Sequence, residues 1–569
     1  MSKKTSVPET TQLSANQLKD FVNALRQHSV KEGVFDSVAS SDFVKEQIDS
    51  ATPDFVLPKE LKAIYDQVDE SKHGLINRAI LDGISEYESR NGISCPADLL
   101  NMAIHSAWAT TPEGSRQDPY YDSASNVHAD NFSLQPNRAV IAILTTIAEG
   151  IPIAHYLPAD IRSNEARLAI VSHHAGTTSG GYAEGASLDG VSSGEPYIST
   201  SRMHTSTATV DSTTQKSTGT ITGKITKIQE TRRTCKQDAG DLKLMRGRSL
   251  VYVAGRVVAA ESSTTGSGNS PVSGTFKVGG TSYTLSGNIN TDTGAYSFST
   301  TPALPETVKV TVQGFIDFER DPSLTPTINT EVDTYKLYAN PWRTTARVSP
   351  DARTQIYNEL GLDSQSESIM TIHSQFANER HYQVLDLGLA LGENNIETFD
   401  FAAAKAHQDS SAPEVWRDFA IPLNKLSQKM AEATIDHGVT HLYVTTTVAS
   451  MLAGLPTNFF EPSGITARPS IYRLGRLFGR YEVYYTPKVL TETTTTSNGI
   501  SAQILCAGRA SNVAQNPVVL GDAVAPSVIP LAVGEDLKQG AGFYARNFTC
   551  VNPHEPSSNG FGIIEVTGL

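Results

Sequence analysis

The chain has 569 residues, with 60 acidic against 46 basic side chains and a formal charge of −14. A length of this order exceeds one compact core and sets an expectation of about three or four domains. The acidic balance excludes a protein that grips nucleic acid over a broad basic face, because that needs Lys and Arg at the phosphates, although it permits lying beside DNA. Cys95, Cys235, Cys506 and Cys550 stand far apart with no CxxC pair, which leaves zinc and redox motifs without ligands and points to reduced, structural thiols.

The first 130 residues read as mainly helical. In "SANQLKDFVNALRQ", Ser14 and Gln17 form a capping-box pattern, and Leu18, Phe21, Val22 and Leu25 share one face. "VKEQI", "KELKAIYDQV", "HGLINRAILDGISEY" and "PADLLNMAIHSAWA" continue the pattern, and their faces need a partner in this chain or a neighbouring one. From Asp130 to Ile170, short apolar runs punctuated by Pro136, Pro152 and Pro158 predict strands and turns. The most apolar run, "AVIAILTTIA" at 139–148, is far shorter than the roughly 20 residues that cross a bilayer. The start "MSKKTSVPETTQLSANQ" has no apolar signal core, so a soluble, cytoplasmic chain with no membrane partner is expected.

Residues 175–196 hold six glycines and predict a long loop. The Ser/Thr-rich stretch after it, up to Arg233, alternates Thr and Val well enough to predict an extended two-stranded ribbon. Residues 248–330 form the clearest separate unit. Strand-like runs such as "SLVYVAGRVVAA", "TSYTLSGNIN" and "TVKVTVQGFIDFE", divided by Gly, Asn-Thr-Asp and Pro turns, predict a small β-sandwich that folds alone.

"DTYKLYANPWRTTARV" then reads as an extended pair, and a short helix follows from Ser349, with Pro350 in its first turn and Gly361 as its left-handed stop. The next helix is the longest in the chain. Asp363 is placed to cap it, Glu367 complements its positive end, and Ile369, Ile372, Phe376, Val384, Leu387 and Leu391 recur at helical spacings. Arg380 and His381 fall late and Gly392 marks the exit, giving a rod of roughly 43 Å at 1.5 Å per residue. Beyond it "PLNKLSQKMAEATIDHG" and "TVASMLAGL" read as helices and "VTHLYVTTT", "GRYEVYYTPKV" and "GISAQILCAGRA" as strands, a mixed α/β region.

Candidate chemistry is sparse. "GTITGK" at 219–224 has three residues between its glycines where a phosphate loop has four, and Ile225 stands where Ser or Thr would hold magnesium. "NINTDTG" at 288–294 places Gly294 one position late for a calcium loop, with Ser299 in place of the closing Glu, so a hairpin turn is expected. His173 and His174 are adjacent in a predicted strand and point to opposite faces. No GxSxG elbow or paired-carboxylate constellation stands out, so the expectation is no enzyme, no catalytic residue, no metal and no cofactor. Arg473, Arg476 and Arg480 lie among aromatics in "YRLGRLFGRYEVYY", either as snorkelling side chains of a solvated turn or as a subunit contact with a neighbour's carboxylate.

Several pieces together resemble one family. "YKLYANPWRTTARVSPDARTQIYNELGLDSQSESIMTIHSQFANERHYQVL", with Glu359, Gly361, Leu362, Asp363, Glu367, Ile372 and Glu379, is similar to the major capsid proteins of tailed bacteriophages with the HK97 fold, in the branch of the T4 major capsid protein. "HLYVTTTVASMLAGL", "YEVYYTPKV" and "DAVAPSVIPLAV" follow in the order of that family's axial domain and its return. Asp522-Ala523-Val524 and the tail "NPHEPSSNGFGIIEVTGL" depart from the pattern, and the first 130 residues have no counterpart in it. The resemblance implies an α+β, HK97-like chain: 1–130 a helical extension, 131–247 an extended loop and associated strands reaching over a neighbouring subunit, 248–330 the inserted β-sandwich, 331–394 the peripheral domain with its spine helix, 395–535 the axial domain and 536–569 the return. It also implies hexamers and pentamers of this chain around double-stranded DNA in a virion assembled in the host cytoplasm, with scaffold, portal, vertex or decoration proteins as partners. The family often trims its N-terminal segment; an uncut chain is expected here. A vertex or encapsulin-like shell protein is the nearest alternative, and a carbohydrate-binding adhesin using Tyr252, Tyr283 and Tyr296 of the insertion is the alternative of another class.

Overall fold

The apolar faces of the N-terminal helices find their partner in the same chain. The computed structural model describes residues 7–31, 34–49, 55, 57–109, 135–159, 164–210, 217–229, 240–361, 364–408, 412–495, 499–531 and 537–569. Helix α1 (Val7–Ser29) is followed by the short pair β1 (Val30–Lys31) and β2 (Val34–Phe35), then α2 (Ser37–Asp49), α3 (Lys59–Gln67), α4 (His73–Asn91), α5 (Ala97–Ala109) and α6 (Gln135–Ala148). Leu18, Phe21, Val22 and Leu25 are buried as their spacing predicts, although α1 already runs from Val7, so Ser14 is an interior helix position rather than a cap. Helix α6 corrects the expectation of strands and turns. Pro136 stands in its first turn, where a missing N–H costs nothing, and Ile143 and Ile147 are fully buried against α4 and α5. This core also contains Val384, Tyr443, Leu505 and Ile563, so the helical block shares its interior with the C-terminal half.

The chain divides into two compact units, 1–170 with 334–569, and 171–333. After β3 (His155–Tyr156), it enters the second unit along β4 (Glu165–Ala175). The second unit is one sheet of eight strands: β5 (Ser201–Ser206), β6 (Thr220–Lys224), β7 (Leu250–Val253), β8 (Arg256–Glu261), β9 (Asn269–Val278), β10 (Thr281–Asn290), β11 (Ala295–Thr301) and β12 (Val310–Phe315). Their order is β5-β12-β7-β8-β9-β10-β11-β6, every neighbour antiparallel. Two expectations change here. The Ser/Thr-rich stretch pairs with itself only at a short bridge, Val210 with Ser217, while its strands β5 and β6 form the two edges of the insertion's sheet, and the sheet curls around a single core of Ile221, Leu285, Phe298 and Val312 instead of forming a sandwich. His204 and Ser206 of β5 hydrogen-bond the Tyr296 hydroxyl on β11, at 2.6 and 2.9 Å, which draws the edges together. "GTITGK" is therefore an edge strand, and "NINTDTG" is the β10–β11 hairpin turn, where the Asn290 side chain accepts from the Asp292 and Thr293 amides at 2.9 and 3.1 Å.

The glycine-rich loop is not coreless. Tyr182 and Tyr197 meet edge to face at 5.5 Å over Ala175, and the Tyr197 hydroxyl donates to the Thr327 carbonyl at 2.6 Å. Fully buried Arg202 donates to the carbonyls of Lys227, Ser199 and Ser201 and to Ser179, pinning the loop to the sheet. Because both edge strands lie before residue 248, a fragment of 171–333 is expected to melt cooperatively with a β-type circular dichroism spectrum. The shorter 248–330 fragment, with Phe298 uncovered on the β6 side, is expected to show no such transition. A cooperative melt of the shorter piece would refute this register.

The chain leaves the second unit along β13 (Ile328–Tyr338), which pairs with β4, and continues into β14 (Asn340–Val348). Helices α7 (Pro350–Leu360) and α8 (Ser364–Gly392) follow, then β15 (Ile396–Asp400), α9 (Phe401–Gln408), α10 (Ala412–Asp418), α11 (Ala420–Thr434), β16 (His441–Val444), α12 (Thr446–Ala453), β17 (Phe460–Pro462), β18 (Tyr472–Leu477), β19 (Tyr481–Tyr485), β20 (Glu492–Thr495), β21 (Gly499–Ala507), β22 (Val518–Leu531), β23 (Gln539–Val551), α13 (Glu555–Ser558) and β24 (Phe561–Thr567). They build two sheets: a four-stranded one, β14-β23-β22-β3, and a mixed one, β15-β24-β21-β16-β19-β18-β17, with β20 beside β21. The mixed sheet has α10, α11 and α12 packed on it around Trp416, Phe419 and Leu423. Ser349 caps α7 by accepting from the Ala352 amide, and Gly361, at φ 67°, ends it. Cys506 and Cys550 lie in different sheets, and they and Cys95 are free thiols; Cys235 lies outside the described residues. Among the described residues no helix is long and apolar enough to cross a membrane.

Candidate functional site

Helix α8 has 29 residues, within a residue of the predicted bounds at each end, and bridges both sheets. Its expected Asp363 cap lies outside the described residues. In the first half, Phe376 packs between Trp342 of β14 and Phe543 of β23, with ring centroids 5.1 and 5.2 Å away, and half-buried Ile372 joins them. In the second half Val384 is fully buried together with Leu385, which the spacing argument did not single out. Ile369 and Leu387 are half-buried, and the first half stays largely open to solvent, with Met370 66 % exposed. Near the exit, Gly388 approaches β24 so closely that a Cβ there would lie 2.5 Å from the Phe561 ring.

Between the halves sits a group of charges that the sequence reading placed differently. Arg380 is not a dipole partner at the helix end; it is buried in mid-helix, 2.8 Å from the buried Asp522 of β22 and 6.0 Å over the Tyr156 ring. The sign was present in the spacing, since 376, 380 and 384 share one helical face. His381 meets the Tyr443 hydroxyl at 3.1 Å, and burial, followed by the Arg90 charge, pushes its pKa down to about 3, so it stays neutral. Burial pushes the Glu149 carboxyl up to about 7; Arg380 works against this and Asp522 adds to it. The folded state therefore holds a proton on Glu149 that the unfolded chain, with a Glu pKa of about 4.3, releases, and stability falls as pH rises from about 4.5 to 7. Comparing thermal melts of Glu149→Gln and the natural chain, the difference is expected to shift in the variant's favour by about 2 kcal/mol between pH 5 and pH 8. A pH-independent difference would overturn the assignment.

Of the three candidate interface arginines, two have carboxylate partners inside this chain. Arg473 and Arg476 of β18 each bond Glu482 of β19 at 2.7 Å, and Arg476 stands directly across from it. Arg473 also lies against Gly92, the left-handed end of α4, where a cation suits the helix dipole and a Cβ would fall 2.4 Å from the guanidinium carbon. Arg480 alone is exposed, 5.6 Å over the Tyr481 ring. Asp98 of α5 is a junction absent from the sequence reading: it accepts from Arg509 at 2.8 Å and from the Tyr156 amide at 2.9 Å, with His155 at 3.3 Å. Burial alone would raise its pKa, but Arg509 and His155 more than offset this and hold the carboxyl well below its usual range. His173 and His174 turn to separate partners, Asp189 and the Gly185 carbonyl. In the insertion, Tyr283 and Tyr296 are core residues and the Tyr252 hydroxyl donates to Gln313, which takes away the aromatic platform of the adhesin alternative.

No protein-family model matches the chain, and no curated protein matches it. Solved structures do align with it at low identity. One is the capsid of the jumbo bacteriophage PhiKZ, at 10 % identity over 73 % of this chain and 92 % of that one, with a TM-score of 0.35. Another, from Microbacterium phage Oxtober96, aligns at 12 % over 59 % and 95 %, with a TM-score of 0.29. A third, the SrpI encapsulin complex of Synechococcus elongatus PCC 7942, aligns at 10 % over 42 % and 77 %, with a TM-score of 0.25. Scores of this size carry no argument of their own.

Proposed function

We propose that this chain is a non-enzymatic, shell-forming subunit, a major capsid protein of the HK97 kind that assembles as hexamers and pentamers into an icosahedral head around double-stranded DNA. The observation that carries the reading is α8. The segment whose residues resemble the family's spine is a 29-residue helix that ties one sheet to another and leaves its first half open beside α7, where Tyr357 is 65 % exposed. A rod with one end fixed in a core and the other half-covered fits a subunit completed by its neighbours, in interfaces of the obligate class, about 2,000 Å² or more. The extended-arm role narrows, because the described residues of 175–210 and 217–229 are knitted into their own unit and deleting 180–225 would remove both edge strands. Electron microscopy of the purified full-length chain tests the proposal: closed particles of megadalton mass are expected, and monomers under every assembly condition would sink it.

A further inference from the structure

The four-stranded sheet has a second face, turned away from α8. Because alternate residues share a face, Arg343, Thr345 and Arg347 of β14 lie opposite to Trp342, with Tyr544 and Arg546 beside them on β23. Arg343 and Arg347 are exposed, and the Arg343 guanidinium is held 5.5 Å over the Tyr544 ring. The Nε of Arg546 is buried without a hydrogen-bond partner. Elsewhere in this unit Arg380, Arg417, Arg473, Arg476 and Arg509 are ion-paired, whereas the exposed Arg468 and Arg480 have no carboxylate partner among the described residues. The three arginines of this face, Arg343, Arg347 and Arg546, have no carboxylate partner among the described residues, and the described part of the face holds no acid, although Ile529 and Leu531 of β22 share it and its far end, at Phe548, is buried against Leu168 of β4 and Leu337 of β13. We propose that this face is the surface that meets the phosphate backbone of enclosed duplex DNA, an inference that rests on the shell reading above. Arg, Thr and Tyr are side chains that donate to phosphates, and the cations run in a row: Arg546 pairs with Pro341, six residues from Arg347, which spans roughly 20 Å of strand. Three cations on a chain of net charge −14 give weak, salt-labile contact, which suits DNA that must slide in and out. A copy of this chain as the occupant would require carboxylates aimed at the row, and mutation separates the two cases.

The experiment measures anisotropy of a labelled duplex of about 30 base pairs against the unassembled full-length protein from about 20 to 200 mM salt. The variant R343Q/R347Q/R546Q is expected to bind at least tenfold more weakly at low salt, with the slope of log K against log salt flattened by about 2 to 3. Arg→Lys replacements at the three positions should retain the slope, and neutralising Arg248 and Arg256 in the insertion should leave it unchanged. If the triple variant proves unfolded, R347Q alone, on an exposed side chain, should flatten the slope by about 0.9. An unaltered slope, or a natural protein that does not bind the duplex, overturns the inference. So does a variant that keeps its DNA affinity but no longer forms particles, which would make the face a contact between copies. The shell reading fails separately, if the natural chain forms no particles.

Discussion

Truncating Asp522 to alanine is expected to cost about 3–5 kcal/mol, because it strands the Arg380 charge at a site where both side chains are at least nine-tenths buried. Arg380→Ala should cost a similar amount, since Asp522 would then be the orphan. The double variant Arg380→Met/Asp522→Leu should recover most of the loss, as replacing both members of a buried pair by apolar groups is often neutral. Thermal or denaturant melts of the four proteins form a cycle, and a loss under 1 kcal/mol for either single variant would show that water reaches the pair. The effect should appear first as proteolysis within 364–392, because this pair anchors the middle of α8 to the four-stranded sheet.

The second large effect is expected at Gly388. Alanine in a helix interior normally gains about 1 kcal/mol over glycine. Here the added carbon meets the Phe561 ring at 2.5 Å, and Phe561 is itself fully buried, so neither ring nor helix can yield without opening the core shared with α4 to α6. The net result is expected to be destabilising by about 2 kcal/mol for alanine and more for valine. Phe561→Leu in the same chain should restore part of it. A Gly388→Ala protein that melts above the natural one would mean propensity wins and the close approach is dispensable.

Local signals carried much of the fold, and their failures share a cause. Helix α7 was readable to the residue, since Ser349, Pro350 and Gly361 are start and stop signals acting within one turn. The α8 bounds follow from its periodicity together with Asp363 before it and Gly392 at its exit. What could not be read depends on partners far away in sequence: β5 pairs with β12 across about a hundred residues, so its Ser/Thr pattern showed an extended strand and not its neighbour. Helix α6 departs from the expected strands and turns because a proline breaks a helix in its interior, whereas Pro136 stands in the first turn, where a helix tolerates one. Arg380 falls late in the helical pattern, which says nothing of burial, and its partner lies in a strand more than a hundred residues later. The pairing of Arg476 with Glu482 was the exception, legible in principle from the register of a tight hairpin.

The interior that joins Leu18 to Ile563 imposes an order on synthesis. Helices α1 to α6 leave the ribosome first, yet the strands that complete their core are translated last, and at 5–20 residues per second that interval is roughly 20 to 80 seconds. During it the nascent helical block holds uncovered leucine and isoleucine faces. Such a chain is a natural client for holdase chaperones, and its yield on overexpression should depend on their supply more than on the stability of the finished fold.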